Sequence, residues 1–169
     1  ALRTVFKYVQ ETLGKRYIRE GTIDIAYHIL CALEKQKIML VSAESCTGGL
    51  IGKIITDVPG SSNAFWGTIV TYSNDAKTQL LGVKPLTIEK YGAVSEETVT
   101  EMARGALCKA NVGIAVSVSG IAGPEGGSRD KPVGTVWICA ANKDCDIARE
   151  YHFFGSRDLI RRWATVAAL

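Results

Sequence analysis

The chain has 169 residues, 47% of them hydrophobic and 22% charged, a balance that suits one globular domain with a sizeable core. A net charge of +3 without any run of Lys or Arg gives no nucleic-acid or membrane footprint and leaves small anionic ligands as partners. No apolar stretch is long enough to span a bilayer, and no signal-peptide pattern opens the chain. Five scattered cysteines (Cys31, Cys46, Cys108, Cys139, Cys145) without a C-x-x-C pair, beside only two histidines, argue against a zinc site and for a reducing, cytoplasmic compartment.

Residues 1–20 carry Val5, Phe6, Tyr8, Val9 and Leu13 with some helical character, then a basic Lys15-Arg16-Tyr17 segment. They read as an N-terminal extension or the tail of a preceding domain, and the domain proper is expected over 21–169. The start at Ala1 and the unfinished helical pattern at Leu169 give the expectation of a piece of something longer. A helix is expected from Thr22, with Ala26, Ile29, Leu30 and Leu33 on one face and Glu34 to Lys37 closing it. A strand at about 38–44 follows. Next comes a polar turn, Ser45-Cys46-Thr47-Gly48-Gly49, after which Leu50, Ile51, Ile54, Ile55 and Val58 recur at helical spacing until Pro59-Gly60.

After a turn at Ser61-Ser62-Asn63, Phe65 to Tyr72 forms an aromatic and β-branched strand. Ser73-Asn74-Asp75 offers three N-caps for a short helix, Ala76 to Leu81, ended by Gly82; with Asn74 as the cap, Lys77 falls in its first turn. Pro85 to Tyr91 makes another short helix closed by Gly92. Ser95 caps a longer one, in which Val99, Met102, Ala103, Ala106 and Leu107 form a stripe, and Asn111 ends it. Gly113 to Ser119 alternates as a strand, with Ile114, Val116 and Val118 on one face. A glycine-rich loop, Ser119 to Gly127, runs through Lys131-Pro132 into strands at about 133–141 and 146–154. Ser156 caps a last helix in which Ile160, Trp163 and Ala167 recur. Early strands separated by helices favour parallel pairing, and late consecutive strands favour antiparallel pairing. The expected fold is α/β: a three-layer α/β/α sandwich with a mixed parallel/antiparallel sheet.

Such a sheet binds ligands outside the carboxyl ends of its parallel strands. Three polar stretches fall there: Ser45 to Gly49, Tyr72 to Lys77, and Ser119 to Gly127. The first presents hydroxyls and backbone N–H groups at a helix opening, suited to a carboxylate, a phosphate or a developing oxyanion. Ser45 and Cys46 are its nucleophile candidates. Neither histidine is placed as their base, since His28 lies on the first amphipathic helix and His152 within a late strand. Lys77 is the better base, because the positive end of a helix dipole and burial both lower a lysine pKa. Tyr72, at the strand end, is placed to orient Ser45 or relay its proton. Taken singly, Ser45 and Thr47 read as helix caps, Tyr72 as a strand-end aromatic, Lys77 as a solvated lysine and Cys46 as a small buried residue. Glu44 is a helix-dipole or hydrogen-bond partner to which spacing assigns no role. The glycine-rich loop reads equally as anion binding or plain linkage.

Five segments in order carry a resemblance: Ala-Glu-Ser-Cys-Thr-Gly-Gly at 43–49, Thr-Tyr-Ser-Asn-Asp-Ala-Lys at 71–77, Gly-Ala-Val-Ser at 92–95, Ser-Gly-Ile-Ala-Gly-Pro at 119–124 and Lys-Pro-Val-Gly-Thr-Val at 131–136. Together they resemble the CinA C-terminal domain family, whose enzymes are nicotinamide-nucleotide amidohydrolases. The likeness spreads over 22–169, and residues 13–18 resemble the linker to an N-terminal molybdopterin-binding-like domain in full-length CinA proteins. It implies hydrolysis of the carboxamide of nicotinamide mononucleotide, giving nicotinic acid mononucleotide and ammonia in pyridine nucleotide salvage, with no metal and no cofactor. Carried over by position, the nucleophile falls on Ser45, the tyrosine on Tyr72 and the lysine on Lys77. Cys46, Thr47, Gly48 and Gly49, with Ser119, Gly120, Ala122 and Gly123, fall where the family surrounds its substrate. In the mechanism that follows, the Cys46 to Gly49 amides are the expected oxyanion donors, and glycine-loop amides with Lys131 or Arg129 are expected to hold the phosphate; the resemblance further implies a homodimer or higher homo-oligomer. Two other readings stand beside this one: a non-catalytic nucleotide- or partner-binding module of a competence protein, and a cysteine amidase using Cys46.

Overall fold

The computed structural model describes residues 25–169. The expectations for residues 1–20 and for a helix start at Thr22 lie outside the described residues. Helix α1 spans Ile25–Gln36 and packs Ala26, Leu30 and Leu33 inward. It closes with Lys37 in the left-handed region (φ 56), where the Ile38 N–H reaches back to the Leu33 carbonyl at 3.0 Å. That closure draws Ile38 out of the sheet, so β1 is shorter than the apolar run and spans Leu40–Glu44. Helix α2 (Leu50–Thr56) follows, then a single 3-10 turn at Ser61–Asn63 and β2 (Phe65–Val70).

Three helices connect β2 to the next strand: α3 (Asn74–Leu81), α4 (Pro85–Tyr91) and α5 (Glu96–Ala110). Ser73, not Asn74, is the cap of α3, its hydroxyl accepting from the Ala76 N–H at 3.1 Å; Lys77 therefore stands one position deeper than the sequence suggested. Ser95 caps α5 in the same way, and Asn111 ends it in the left-handed conformation. Strands β3 (Ile114–Gly120), β4 (Thr135–Asn142) and β5 (Asp146–His152) come next, and α6 (Arg157–Ala168) closes the order. In α6 the inward positions are Ile160, Ala164 and Thr165, whereas Trp163 is half exposed. Of the expected Ile160, Trp163 and Ala167 recurrence, Ile160 is buried and Ala167 packs on the core, whereas Trp163 gives way to the smaller Ala164.

The five strands form one sheet in the order β2-β1-β3-β4-β5. β1 pairs parallel with both β2 and β3, and β4 and β5 add antiparallel. Both faces are covered. On one, Ala26, Leu30, Ile51, Ile55, Ile160 and Ala164 of α1, α2 and α6 pack on Leu40, Val116, Val118, Val136 and Ile138. On the other, Leu81, Val99, Met102, Ala103 and Ala106 of α3 and α5 pack on Val41, Ala43, Ala115, Cys139 and Ala141. The fold is therefore a three-layer α/β/α sandwich with a mixed sheet. The chain leaves β1 for β2 through α2 on one face and returns to β3 through α3–α5 on the other, so the carboxyl end of β1 is a topological switch point. Among the described residues no helix is long and apolar enough to cross a membrane.

Candidate active site

At that switch point β1 ends in the Ser45 turn. Strand alternation puts Glu44 on the α2 side, where it is fully buried. Its carboxylate accepts the N–H groups of Gly49 (2.8 Å), Ile51 (3.2 Å) and Gly52 (2.9 Å), with the Ser42 and Thr68 hydroxyls each at 3.4 Å. The helix opening, expected from sequence to receive an external anion, is thus occupied by an anion of the chain itself. The Gly48 N–H goes to the Ser45 carbonyl at 3.1 Å. Of the turn amides, those of Cys46 and Thr47 make no hydrogen bond to another described residue.

The Ser45 hydroxyl, 7% exposed, accepts from the Lys77 ammonium at 3.0 Å. Lys77 is 1% exposed, and its other acceptors are the carbonyls of Thr71 at 2.9 Å and Tyr72 at 3.4 Å. All three acceptors are neutral, so burial prevails and lowers the lysine pKa from its ordinary 10.5, with the neighbouring Cys46 thiol as a smaller opposing influence. Burial also pushes the Cys46 thiol up, to about 11, against the smaller pull of its own backbone and of Arg161. The thiol is therefore protonated near neutral pH and a poor nucleophile.

The three polar stretches meet around one cavity of about 260 Å³, lined by Ser45 and Cys46 from the first, Tyr72, Asn74 and Lys77 from the second, and Ser119, Gly120 and Ala122 from the third. Thr47, Gly48, Gly49 and Gly123 are not among its lining residues. A side chain at Gly120 would press on Val136, the Thr135 carbonyl and the Cys46 sulfur, so glycine there is required by close approach. The Ser119 hydroxyl donates to the Ala93 carbonyl at 2.6 Å and fixes the Ala93-Val94 wall.

Sequence reasoning missed Arg157. It sits at the start of α6, 85 residues from Tyr72, and no local pattern joins the two. Its guanidinium donates to the Tyr72 hydroxyl at 2.8 Å and to the Gly123 carbonyl at 2.7 Å, and it lines the cavity. Tyr72 is 63% exposed and its hydroxyl is engaged by Arg157, not by Ser45; towards Lys77 it offers only its carbonyl. Lys131 is committed elsewhere: its ammonium donates to the carbonyls of Tyr91 (2.6 Å) and Val94 (2.8 Å), behind the cavity wall. Arg129, the other cation expected to hold a phosphate, is not among the lining residues. With Arg157 among the lining residues and no carboxylate, the cavity suits an anionic ligand. Among the described residues no group of three or more His, Cys, Asp or Glu side chains is gathered to hold a metal.

Known proteins resemble the chain over most of its length. The sequence model of the CinA C-terminal domain matches residues 22–169. The nicotinamide-nucleotide amidohydrolase PncC of Escherichia coli K12 is 52% identical over 139 residues, covering 82% of this chain and 84% of that protein. A CinA-like protein of Syntrophomonas wolfei is 44% identical over 161 residues, covering 95% of this chain; the chain spans only 39% of that relative's length. Among solved structures, the competence/damage inducible protein CihA from Agrobacterium tumefaciens superposes with a TM-score of 0.84 at 39% identity, covering 90% of this chain and 94% of the other. A CinA superfamily protein from Klebsiella pneumoniae 700603 gives a TM-score of 0.83 at 32% identity, covering 88% and 93%.

Proposed function

The chain belongs to the CinA C-terminal domain family, and we propose that it is a nicotinamide-nucleotide amidohydrolase that converts nicotinamide mononucleotide to nicotinic acid mononucleotide and ammonia, with Ser45 as nucleophile and Lys77 as its base. The observation that carries this reading is the buried Lys77–Ser45 contact at 3.0 Å, made by a lysine whose pKa burial depresses. A neutral amine has two N–H donors and one lone pair. The carbonyls of Thr71 and Tyr72 take the two donors, which leaves the lone pair facing the Ser45 hydroxyl. Lys77 then removes the serine proton as the oxygen attacks the carboxamide carbon. The Cys46 N–H, on a residue that lines the cavity beside Ser45, is the donor for the tetrahedral oxyanion, a contact of a type worth about 3–4 kcal/mol of barrier. The protonated amine passes its proton to the departing ammonia, and water hydrolyses the ester.

The 5′-phosphate would then meet Arg157 rather than Lys131 or Arg129, a reading supported by its place in the cavity lining and by Tyr72 and the Gly123 carbonyl holding its guanidinium. This favours the mononucleotide over free nicotinamide, which has no phosphate to meet Arg157. The protonated Cys46 thiol speaks against the cysteine-amidase reading.

The test is to incubate the protein with nicotinamide mononucleotide in the presence of EDTA and to measure ammonia and nicotinic acid mononucleotide for wild type, Ser45→Ala and Lys77→Met. The proposal expects turnover by wild type alone. Binding of the mononucleotide by folded wild-type protein with no product would support instead a non-catalytic nucleotide-binding module.

A further inference from the structure

Arg161 lies four residues beyond Arg157 on α6, yet it is not among the residues lining the cavity. Its guanidinium reaches the Ser45 turn itself. Nε donates to the Cys46 carbonyl at 3.0 Å and Nη2 to the Thr47 carbonyl at 2.7 Å, two consecutive peptides held by one fork. Gly48 makes room for it. That residue is left-handed (φ 60), and a Cβ built there would stand 3.3 Å from Nη2.

The two carbonyls matter because of what lies at the other end of each peptide. In a planar trans peptide the C=O and the following N–H point in opposite directions. Holding the Cys46 carbonyl on Arg161 turns the Thr47 N–H away from the arginine. Holding the Thr47 carbonyl turns the Gly48 N–H away too, and it meets the Ser45 carbonyl there at 3.1 Å. Meanwhile Glu44 takes the Gly49, Ile51 and Gly52 amides. The donors left over in the turn are those of Cys46 and Thr47, and Arg161 and Glu44 fix the peptides around them from opposite ends.

We infer that Arg161 is a positioning residue of the amidase: by clamping the Cys46 and Thr47 carbonyls it sets the peptides that carry the Thr47 and Gly48 N–H groups, and through the Gly48 N–H on the Ser45 carbonyl it sets the plane that carries the Cys46 N–H, the oxyanion donor beside Ser45, without touching the substrate. The inference rests on the reading of Ser45 as the nucleophile of a carboxamide hydrolase. A fork that merely balanced charge would seek a carboxylate, as Arg162 does with Asp158; both bonds that Arg161 makes to the turn go to neutral carbonyls, where direction is what the fork supplies.

The experiment is steady-state kinetics on nicotinamide mononucleotide with wild type, Arg161→Ala and Arg161→Lys, with melting temperatures and with guanidinium ion added back. Arg161→Ala is expected to lower kcat about 100-fold, the scale of a lost oxyanion donor, with KM within about threefold of wild type. Guanidinium ion should restore part of kcat. Arg161→Lys should resemble Ala, because one ammonium cannot copy the fork. An unchanged kcat, a loss confined to KM, or a loss that follows a fallen melting temperature and ignores guanidinium would each overturn the inference. Wild type without turnover would remove the amidase reading and this inference with it, whereas an active wild type matched by Arg161→Ala would remove the inference alone.

Discussion

Two glycine-bearing stretches border the candidate site, and in sequence they look alike: Ser45 to Gly49 and Ser119 to Gly127. Each places small residues after a parallel strand, where backbone amides suit an anion. In the fold they do different things. The helix amides behind the first are consumed by Glu44, so its free donors are those nearest Ser45. The second contributes space and an acceptor: Gly120 lets the cavity wall close on Cys46, and the Gly123 carbonyl steadies Arg157. Glycine marks where backbone must come close, but distant side chains decide which of its polar groups stay available.

The comparison breaks most severely at Ser45 and Lys77. Ser45→Ala and Lys77→Met are each expected to lower kcat by 1,000-fold or more, on the order seen when a nucleophile or its base is removed. Lys77→Arg should be as inactive, because a guanidinium does not deprotonate near neutral pH. The same lysine sets a pH dependence. Its pKa is lowered by burial, so activity should rise with pH along an ionisation below 10.5. The stability sign follows from linkage. Between the lowered folded pKa and the ordinary unfolded one the unfolded chain binds the extra proton, so this group makes the fold more stable as pH rises through that window. Chemical denaturation across it should show the slope in wild type and lose it in Lys77→Met.

Next in size is the division of labour between the two stretches. Arg157→Met, which frees Tyr72 and empties the phosphate end, should raise KM for nicotinamide mononucleotide about 10- to 100-fold, the worth of a charge-assisted hydrogen bond, with a much smaller change in kcat. Glu44→Gln sets an amide donor against the N–H groups of α2 and should destabilise by about 1–3 kcal/mol in denaturant. The smallest effect is at Thr71, whose hydroxyl is buried without a partner among the described residues, while its carbonyl holds Lys77. Thr71→Val keeps the carbonyl and should stabilise by up to about 1 kcal/mol with kcat unchanged.

Much of the fold could be read from the sequence, because its punctuation is local. Ser95, Ser156, Gly82 and Asn111 end their helices by geometry that neighbouring residues enforce. Alternation at Ile114, Val116 and Val118 gave the face of β3 that packs beneath α2 and α6. What misled was competition between adjacent residues: Ser73 against Asn74 for a cap, Ala164 against Trp163 for the core, Lys37 closing α1 where a strand was expected to begin soon after. At the site, Ser45 and Lys77 were visible as motif residues, and their 3.0 Å contact spans 32 positions. Arg157 and Arg161 were not, since each acts on groups 34 to 115 residues away and carries no periodic mark. Lys131 shows the converse, a cation in a glycine-rich loop that binds two carbonyls of its own chain.

The most direct test of the central claim is to quench wild-type protein during turnover of nicotinamide mononucleotide and map the acylated residue by peptide mass spectrometry. The nicotinic acid mononucleotide acyl group is expected on Ser45 in wild type and absent in Ser45→Ala. An adduct on Cys46, or sustained turnover by Ser45→Ala, would contradict it.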